Sequence, residues 1–131
     1  MTVFHRSDLL KEIAYQAQKD GKIFIGFSGT HGKTTTSGLC SYLLSKEGFN
    51  PSYAVGGTIQ NIGNNSAFGS DKIFVAELDE SDGTFELFHP SIAIITNADW
   101  DHVDHYKTRD DVIAAFTRYA DGRKEGGTLI M

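Results

Sequence analysis

The sequence is poor in cysteine, in surplus positive charge and in long apolar runs, and each shortage excludes a class of protein. One cysteine in 131 residues, Cys40, leaves no disulfide framework, and no Cys/His pairs fall at the spacing of a zinc site. Twelve lysines and arginines against 17 acids give a formal net charge of -5. That balance argues against broad nucleic-acid or membrane-surface binding and leaves room only for a local basic pocket suited to phosphates. No apolar run approaches membrane-spanning length, and the N-terminal stretch Met-Thr-Val-Phe-His-Arg lacks signal-peptide character, so the expected compartment is the cytoplasm. The remaining composition, 40% hydrophobic and 22% charged, is that of an ordinary globular domain large enough to bury one core.

What is present centres on Phe27-Ser28-Gly29-Thr30-His31-Gly32-Lys33-Thr34-Thr35-Thr36. The apolar, β-branched segment Lys22 to Phe27 before it reads as a buried strand. Thr34 to Lys46 after it places Leu39, Leu43 and Leu44 at helical spacing and ends at Gly48. A strand, a glycine-containing loop and a helix opening on Gly-Lys-Thr form a phosphate cradle: loop N–H groups, the helix N-terminus and Lys33 attract the anion, and the Thr34 hydroxyl can ligate magnesium. The loop lacks one glycine of the general pattern, since Phe27 stands where G-x-x-x-x-G-K-[ST] begins. A glycine-rich turn with a surface lysine is the alternative reading.

Along the chain, Ser7 is a candidate N-cap for a helix carrying Leu9, Leu10, Ile13, Ala14 and Ala17, ended by Asp20-Gly21. Pro51 breaks the chain before a short strand at 52–55. Residues 58–71 read as a loop or irregular hairpin, facing either substrate or solvent. Strands follow at 72–76 and 91–96. Thr108 or Asp110 could cap a last helix bearing Val112, Ile113, Phe116 and Tyr119, and a terminal strand occupies 128–131. Short apolar strands alternating with helices predict an α/β fold, a mostly parallel sheet flanked by helices. One domain over 1–131 is expected, with 1–21 as a lead-in helix and 22–131 as the phosphate-loop core. The apolar last strand is what a cut through a larger sheet would leave.

Ligands of such sheets bind outside the carboxyl ends of the strands. The phosphate loop, Glu77 and the stretch Asn97 to His105 each follow a strand directly. A triphosphate brings magnesium, which takes oxygen ligands, and Thr34 with Glu77 would supply two. The alternative for Glu77, a strand-end acid facing water, is the weaker reading, because an acid directly after a buried strand can reach the loop. The run Asp79, Glu80, Asp82 reads as a solvated turn. His102, among Asp99, Asp101 and Asp104, reads on composition alone as a paired surface histidine ahead of a ligand or base, and His105 is weaker still. Thr96 and Asn97 either turn inward or simply end the strand. Cys40 reads as a small buried residue of the helix.

Taken together, Gly29-Thr30-His31-Gly32-Lys33-Thr34-Thr35-Thr36, Glu77-Leu78-Asp79-Glu80-Ser81-Asp82 and Thr96-Asn97 through Asp101-His102-Val103-Asp104-His105-Tyr106 resemble the central ATP-binding domain of the Mur ligases. The lead-in His5-Arg6-Ser7-Asp8-Leu9-Leu10 is similar as well, so the likeness spans nearly the whole chain. Within the family it leans towards members that join L-alanine to UDP-N-acetylmuramate. The resemblance implies ATP and Mg2+ as cofactors, Gly29, Thr30, His31, Gly32, Lys33, Thr34 and Thr35 around the nucleotide, and Thr34 and Glu77 on one magnesium. It also implies His102 on a second magnesium, and Lys33, Glu77 and His102 as the catalytic set. The implied reaction phosphorylates a carboxylate, which the amine of an amino acid then attacks.

The same resemblance implies flanking nucleotide-sugar and amino-acid domains, neither of which lies in this sequence, so the isolated chain is expected to be inactive. Residues 110–121 contain no lysine, which leaves the carbamylated lysine of some relatives unsupported. Alternatives of other kinds are a stand-alone polyphosphate-binding module and a small kinase, for which Arg118 and Arg123 alone do not make a lid. A related ligase acting on a folate or a longer muramyl peptide is the competitor within the family. Lys33→Ala is expected to abolish triphosphate binding with the fold intact.

Overall fold

In the computed structural model, which describes residues 3, 5–59, 63–100 and 104–131, a mostly parallel sheet is built chiefly from the apolar runs of the sequence. The elements are α1 (Arg6–Lys19), β1 (Ile23–Ser28), α2 (Lys33–Lys46), β2 (Ser52–Ile59), β3 (Asn64–Ala67), β4 (Ile73–Glu77), a 3-10 turn (Thr84–Leu87), β5 (Ile92–Ile95), α3 (Arg109–Asp121) and β6 (Thr128–Ile130). Among the described residues the sheet has six strands in the order β3-β2-β4-β1-β5-β6. Every neighbouring pair is parallel except the antiparallel pair β2 and β3, whose register shifts between Ala54 and Ile59. The stretch read as a loop or irregular hairpin is thus a hairpin with an irregularity.

Alternation along the strands separates two cores, because successive side chains of a strand point to opposite faces. Phe24, Phe74, Ala76 and Ala93 face α1 and α3, packing with Ala14, Ala17, Val112, Ala115, Phe116 and Tyr119. Ile25, Phe27, Ile73, Val75 and Ile94 face α2, against Cys40 and Leu44. Phe27 therefore has a packing reason for replacing the expected glycine. β1 continues through Ser28, and Phe27 is still a strand residue, 2% exposed, clustered with Tyr53 and Val75. Gly26 has a structural role as well, since a Cβ there would lie 2.8 Å from the Tyr119 hydroxyl, which donates to the Gly26 carbonyl at 3.0 Å.

Two helix expectations are corrected. The N-cap of α1 is His5, not Ser7: the His5 ring accepts from the Ser7 N–H and the Asp8 carboxylate accepts from the His5 N–H, a reciprocal box at the first turn. In α2, Leu39 and Leu43 are exposed, and the buried positions are Ser37, Gly38 and Ser41. Small residues let this helix approach the sheet closely. The buried hydroxyls are satisfied within the helix, Ser37 donating to the Lys33 carbonyl at 2.6 Å and Ser41 to that of Ser37 at 2.9 Å. Thr108, the first of the two caps considered, starts α3 in a capping box with Asp111.

Candidate active site at the carboxyl ends of the strands

The loop from Gly29 to Gly32 leaves β1 and delivers Lys33 as the first residue of α2. Its path depends on two glycines. Gly29 has φ 143 and packs so tightly on β5 that a Cβ would fall 1.9 Å from Thr96 Oγ1. Gly32 caps α2 at φ 84 and carries no side chain to bond the first-turn N–H groups. A helix N-terminus left in this way is suited to an oxyanion.

The loop is clamped from β5, where sequence reasoning left Thr96 and Asn97 undecided. Asn97 Oδ1 accepts from the His31 N–H at 2.9 Å, and Asn97 Nδ2 donates to the His31 carbonyl at 2.8 Å. Thr96 Oγ1 donates to the same carbonyl at 2.6 Å. Thr30 is tied in both directions to the backbone of Asp99, donating to its carbonyl at 3.0 Å and accepting from its N–H at 2.8 Å. The Thr30 hydroxyl is therefore part of the scaffold. Both strand ends thus shape one loop, which no spacing rule within the loop reveals.

On the other side of β1, Glu77 ends β4 and reaches the cradle. Its Oε2 accepts from the Thr34 hydroxyl at 2.9 Å and from the Gly56 N–H at 2.6 Å. Gly56 is required by this approach, because a Cβ would stand 2.6 Å from the same oxygen. A hydroxyl and a carboxylate side by side are hard oxygen donors of the kind magnesium takes, with its other positions filled by phosphate and water. Among the described residues no group of three His, Cys, Asp or Glu side chains is gathered to hold a metal unaided. Thr35 and His31 are exposed beside the loop. His102 lies outside the described residues.

Lys33 is not a surface lysine. Its Nζ donates to the Gly29 carbonyl at 2.7 Å and lies 2.8 Å from Glu80 Oε2, and Glu80 is 1% exposed. This corrects the reading of the acid run as uniformly solvated. Asp79 and Asp82 do stand in solvent and shape the turn, Asp79 accepting from the Ser81 N–H and Asp82 from the N–H and hydroxyl of Thr84. Burial works against ionisation of Asp82, but the Thr84 hydrogen bonds and nearby His5 outweigh it and hold the carboxyl below its usual range. A signal for Glu80 lies in the alternation past the strand end, where Leu78 is buried, Asp79 exposed and Glu80 buried. A cleft of about 370 Å3 opens over this floor, bordered by Lys33, Glu77, Arg6, Asp79, Asp82 and Phe88.

The Mur ligase middle-domain model matches residues 27–131, which include the loop, Glu77 and the clamp. The chain belongs to the Mur ligase family. Among its relatives, the UDP-N-acetylmuramate–L-alanine ligase of Renibacterium salmoninarum is 47% identical over 130 residues, covering 99% of this chain and 27% of the relative. That of Thermosynechococcus vestitus is 44% identical over 119 residues, covering 91% and 24%. This Mur ligase chain thus spans about a quarter of the length of the curated relatives it matches. In structure it is similar to the UDP-N-acetylmuramate–alanine ligase of Thermotoga maritima, with TM-score 0.74 and 29% identity over 87% of this chain and 27% of that one. The MurF ligase of Thermotoga maritima, solved in complex with ADP, shares the fold at TM-score 0.72 and 21% identity over 98% of this chain and 32% of that one.

Proposed function

We propose that this chain is the ATP- and magnesium-binding domain of a longer amide ligase of peptidoglycan precursor synthesis, one that joins L-alanine to UDP-N-acetylmuramate. The observation that carries the proposal is the convergence of the Lys33 ammonium and the Glu77 carboxylate on one cleft at the carboxyl ends of adjacent parallel strands, with the Thr34 hydroxyl bonded to Glu77. In the proposed reaction the γ-phosphoryl group passes from ATP to the sugar's carboxylate, with ADP leaving. The amine of L-alanine then attacks the acyl carbon and phosphate leaves.

In this reading, the N–H groups of the loop that Asn97 does not engage and the open first turn of α2 hold the β- and γ-phosphates. Lys33 neutralises charge that develops on the transferred group, and Thr34 with Glu77 would hold the metal. Magnesium, when bound, supplies further charge neutralisation and fixes the phosphate oxygens. His102 belongs to the proposed set as a ligand of a second magnesium, on the support of the family motif. The clamp of Thr96 and Asn97 keeps the loop rigid, so that its N–H groups need no reorganisation as charge shifts. The cytoplasm, where ATP and the nucleotide sugar are available, is the proposed compartment, and no helix among the described residues is long and apolar enough to cross a membrane. The amine-binding groups are assigned to segments outside this chain, and the chain alone is proposed to be inactive.

The test is ADP release by the longer protein that contains this chain, with UDP-N-acetylmuramate and L-alanine supplied singly and together. Release that requires both and disappears in Lys33→Met is the expected result. Release indifferent to either substrate would overturn the ligase assignment. Calorimetry of the 131-residue chain with Mg-ATP and with Mg-triphosphate then separates nucleotide recognition from polyphosphate recognition, and failure of both to bind a folded chain would remove the cradle from the proposal.

A further inference from the structure

The proposed reaction makes no use of the most deeply buried acid near the cleft. Glu80 sits 1% exposed with its Oε2 2.8 Å from Lys33 Nζ, and its main chain is mounted rigidly. The Glu80 carbonyl accepts from the Tyr106 hydroxyl at 2.6 Å and from the Gly83 N–H at 3.1 Å. Tyr106 is itself buried, and its carbonyl receives the Trp100 indole N–H at 2.8 Å.

An ammonium has three N–H donors and no acceptor. At Lys33 one goes to the Gly29 carbonyl and the Glu80 carboxylate pairs with the ammonium by charge at 2.8 Å, which leaves donor capacity for the cleft that Lys33 borders. A lysine stem is flexible, and a free ammonium would sample many directions before meeting a phosphate oxygen. Two fixed acceptors, one of them charged, remove that freedom beforehand. The same carboxylate has an opposing effect, since a negative charge beside a polyphosphate repels it. The two effects have opposite signs, so the sign of a measured change decides between them.

We propose that Glu80 is a positioning residue for Lys33, presetting the ammonium so that its remaining N–H meets a polyphosphate oxygen. This rests on the reading of the loop as a polyphosphate cradle, and the experiment separates the two claims. The affinity of the 131-residue chain for inorganic Mg-triphosphate is measured by calorimetry for the parent sequence, Lys33→Met, Glu80→Gln, Glu80→Met and Lys33→Met/Glu80→Met, and the Lys33 Nζ signal is followed by 15N NMR. Glu80→Met is expected to weaken binding about tenfold, and Glu80→Gln, which keeps an acceptor without the charge, to weaken it severalfold. Both should broaden the Nζ signal, and Glu80→Met should have no further effect once Lys33 is methionine, a non-additivity that a purely structural role would not produce. Equal or tighter binding by a folded Glu80 variant would overturn the assignment, because lost repulsion alone predicts it. Undiminished binding by folded Lys33→Met would overturn the cradle itself, and the assignment with it. Should Glu80→Met fail to fold, the isosteric Glu80→Gln decides the sign.

Discussion

Replacing Lys33 with methionine keeps most of the aliphatic stem and removes only the ammonium, which makes it a probe of the ion pair with Glu80. At the observed 2.8 Å, and with an effective dielectric constant of about 20, the gross attraction is about 6 kcal/mol. Part of this is offset, because the Lys33 side chain is only 14% exposed and the methionine variant no longer bears the cost of taking an ammonium out of water. Removing one partner of a buried pair typically costs about 3–5 kcal/mol, and the partial exposure of Lys33 puts the expected loss near the lower end, about 3 kcal/mol. The sequence alone gave no reason to expect a change in stability at this position. Urea unfolding of the parent chain, Lys33→Met, Glu80→Gln and the double variant would measure both the loss and its coupling. A loss below about 1 kcal/mol, or one of equal size in the Glu80→Gln background, would refute the argument that Lys33 supports a buried charge.

Other residues make separate predictions. Glu77→Gln should remove most of the magnesium dependence of triphosphate binding, read as a flattened magnesium titration at fixed triphosphate. Asn97→Ala deletes both hydrogen bonds to His31 and should cost about 1–3 kcal/mol in denaturant unfolding while weakening triphosphate binding. Phe27→Gly, which restores the general loop pattern, should destabilise by about 3–5 kcal/mol, because Phe27 is a core residue of β1. Burial first, then the carboxylates of Glu86, Glu80 and Asp82, push the Tyr106 phenol up to about 12. The unfolded phenol ionises near about 10, so the unfolded chain releases its proton first and stability falls between about pH 10 and about pH 12. Tyr106→Phe should flatten that part of the stability curve, leaving the portion due to Tyr119 and Tyr53, whose phenols burial also raises.

Legibility differed between residues for physical reasons. The strands at 23–28, 73–77 and 92–95 announce themselves as β-branched runs, since a sheet covered on both faces demands apolar residues on every position. α2 misled because its leucines have helical spacing, yet the face that meets the sheet is the one with serine and glycine, whose small size permits the closer approach. At α1, the reciprocal bonding of His5 and Asp8 moved the cap two residues before the serine that propensity favours. That Lys33, Thr34 and Glu77 come together was readable, because the loop, the helix start and the strand end that carry them lie at the ends of adjacent elements. Asn97 and Glu80 were not, because no phosphate-loop pattern calls for them and their contacts with His31 and Lys33 arise only from packing.

The sequence by itself determined the alternation of strands and helices, the strand–loop–helix carrying Lys33 and Thr34, and the placing of Glu77 after a buried strand. These are local consequences of periodicity, turn chemistry and donor type. Tertiary structure alone decided that β4 and β5 flank β1, so that Glu77 reaches Thr34 from one side while Asn97 grips His31 from the other. It also decided that one acid of a polar run is enclosed beside Lys33 while its neighbours stay in water. Charge in a sequence carries a sign but not a depth, and only packing brings a carboxylate and an ammonium together out of solvent.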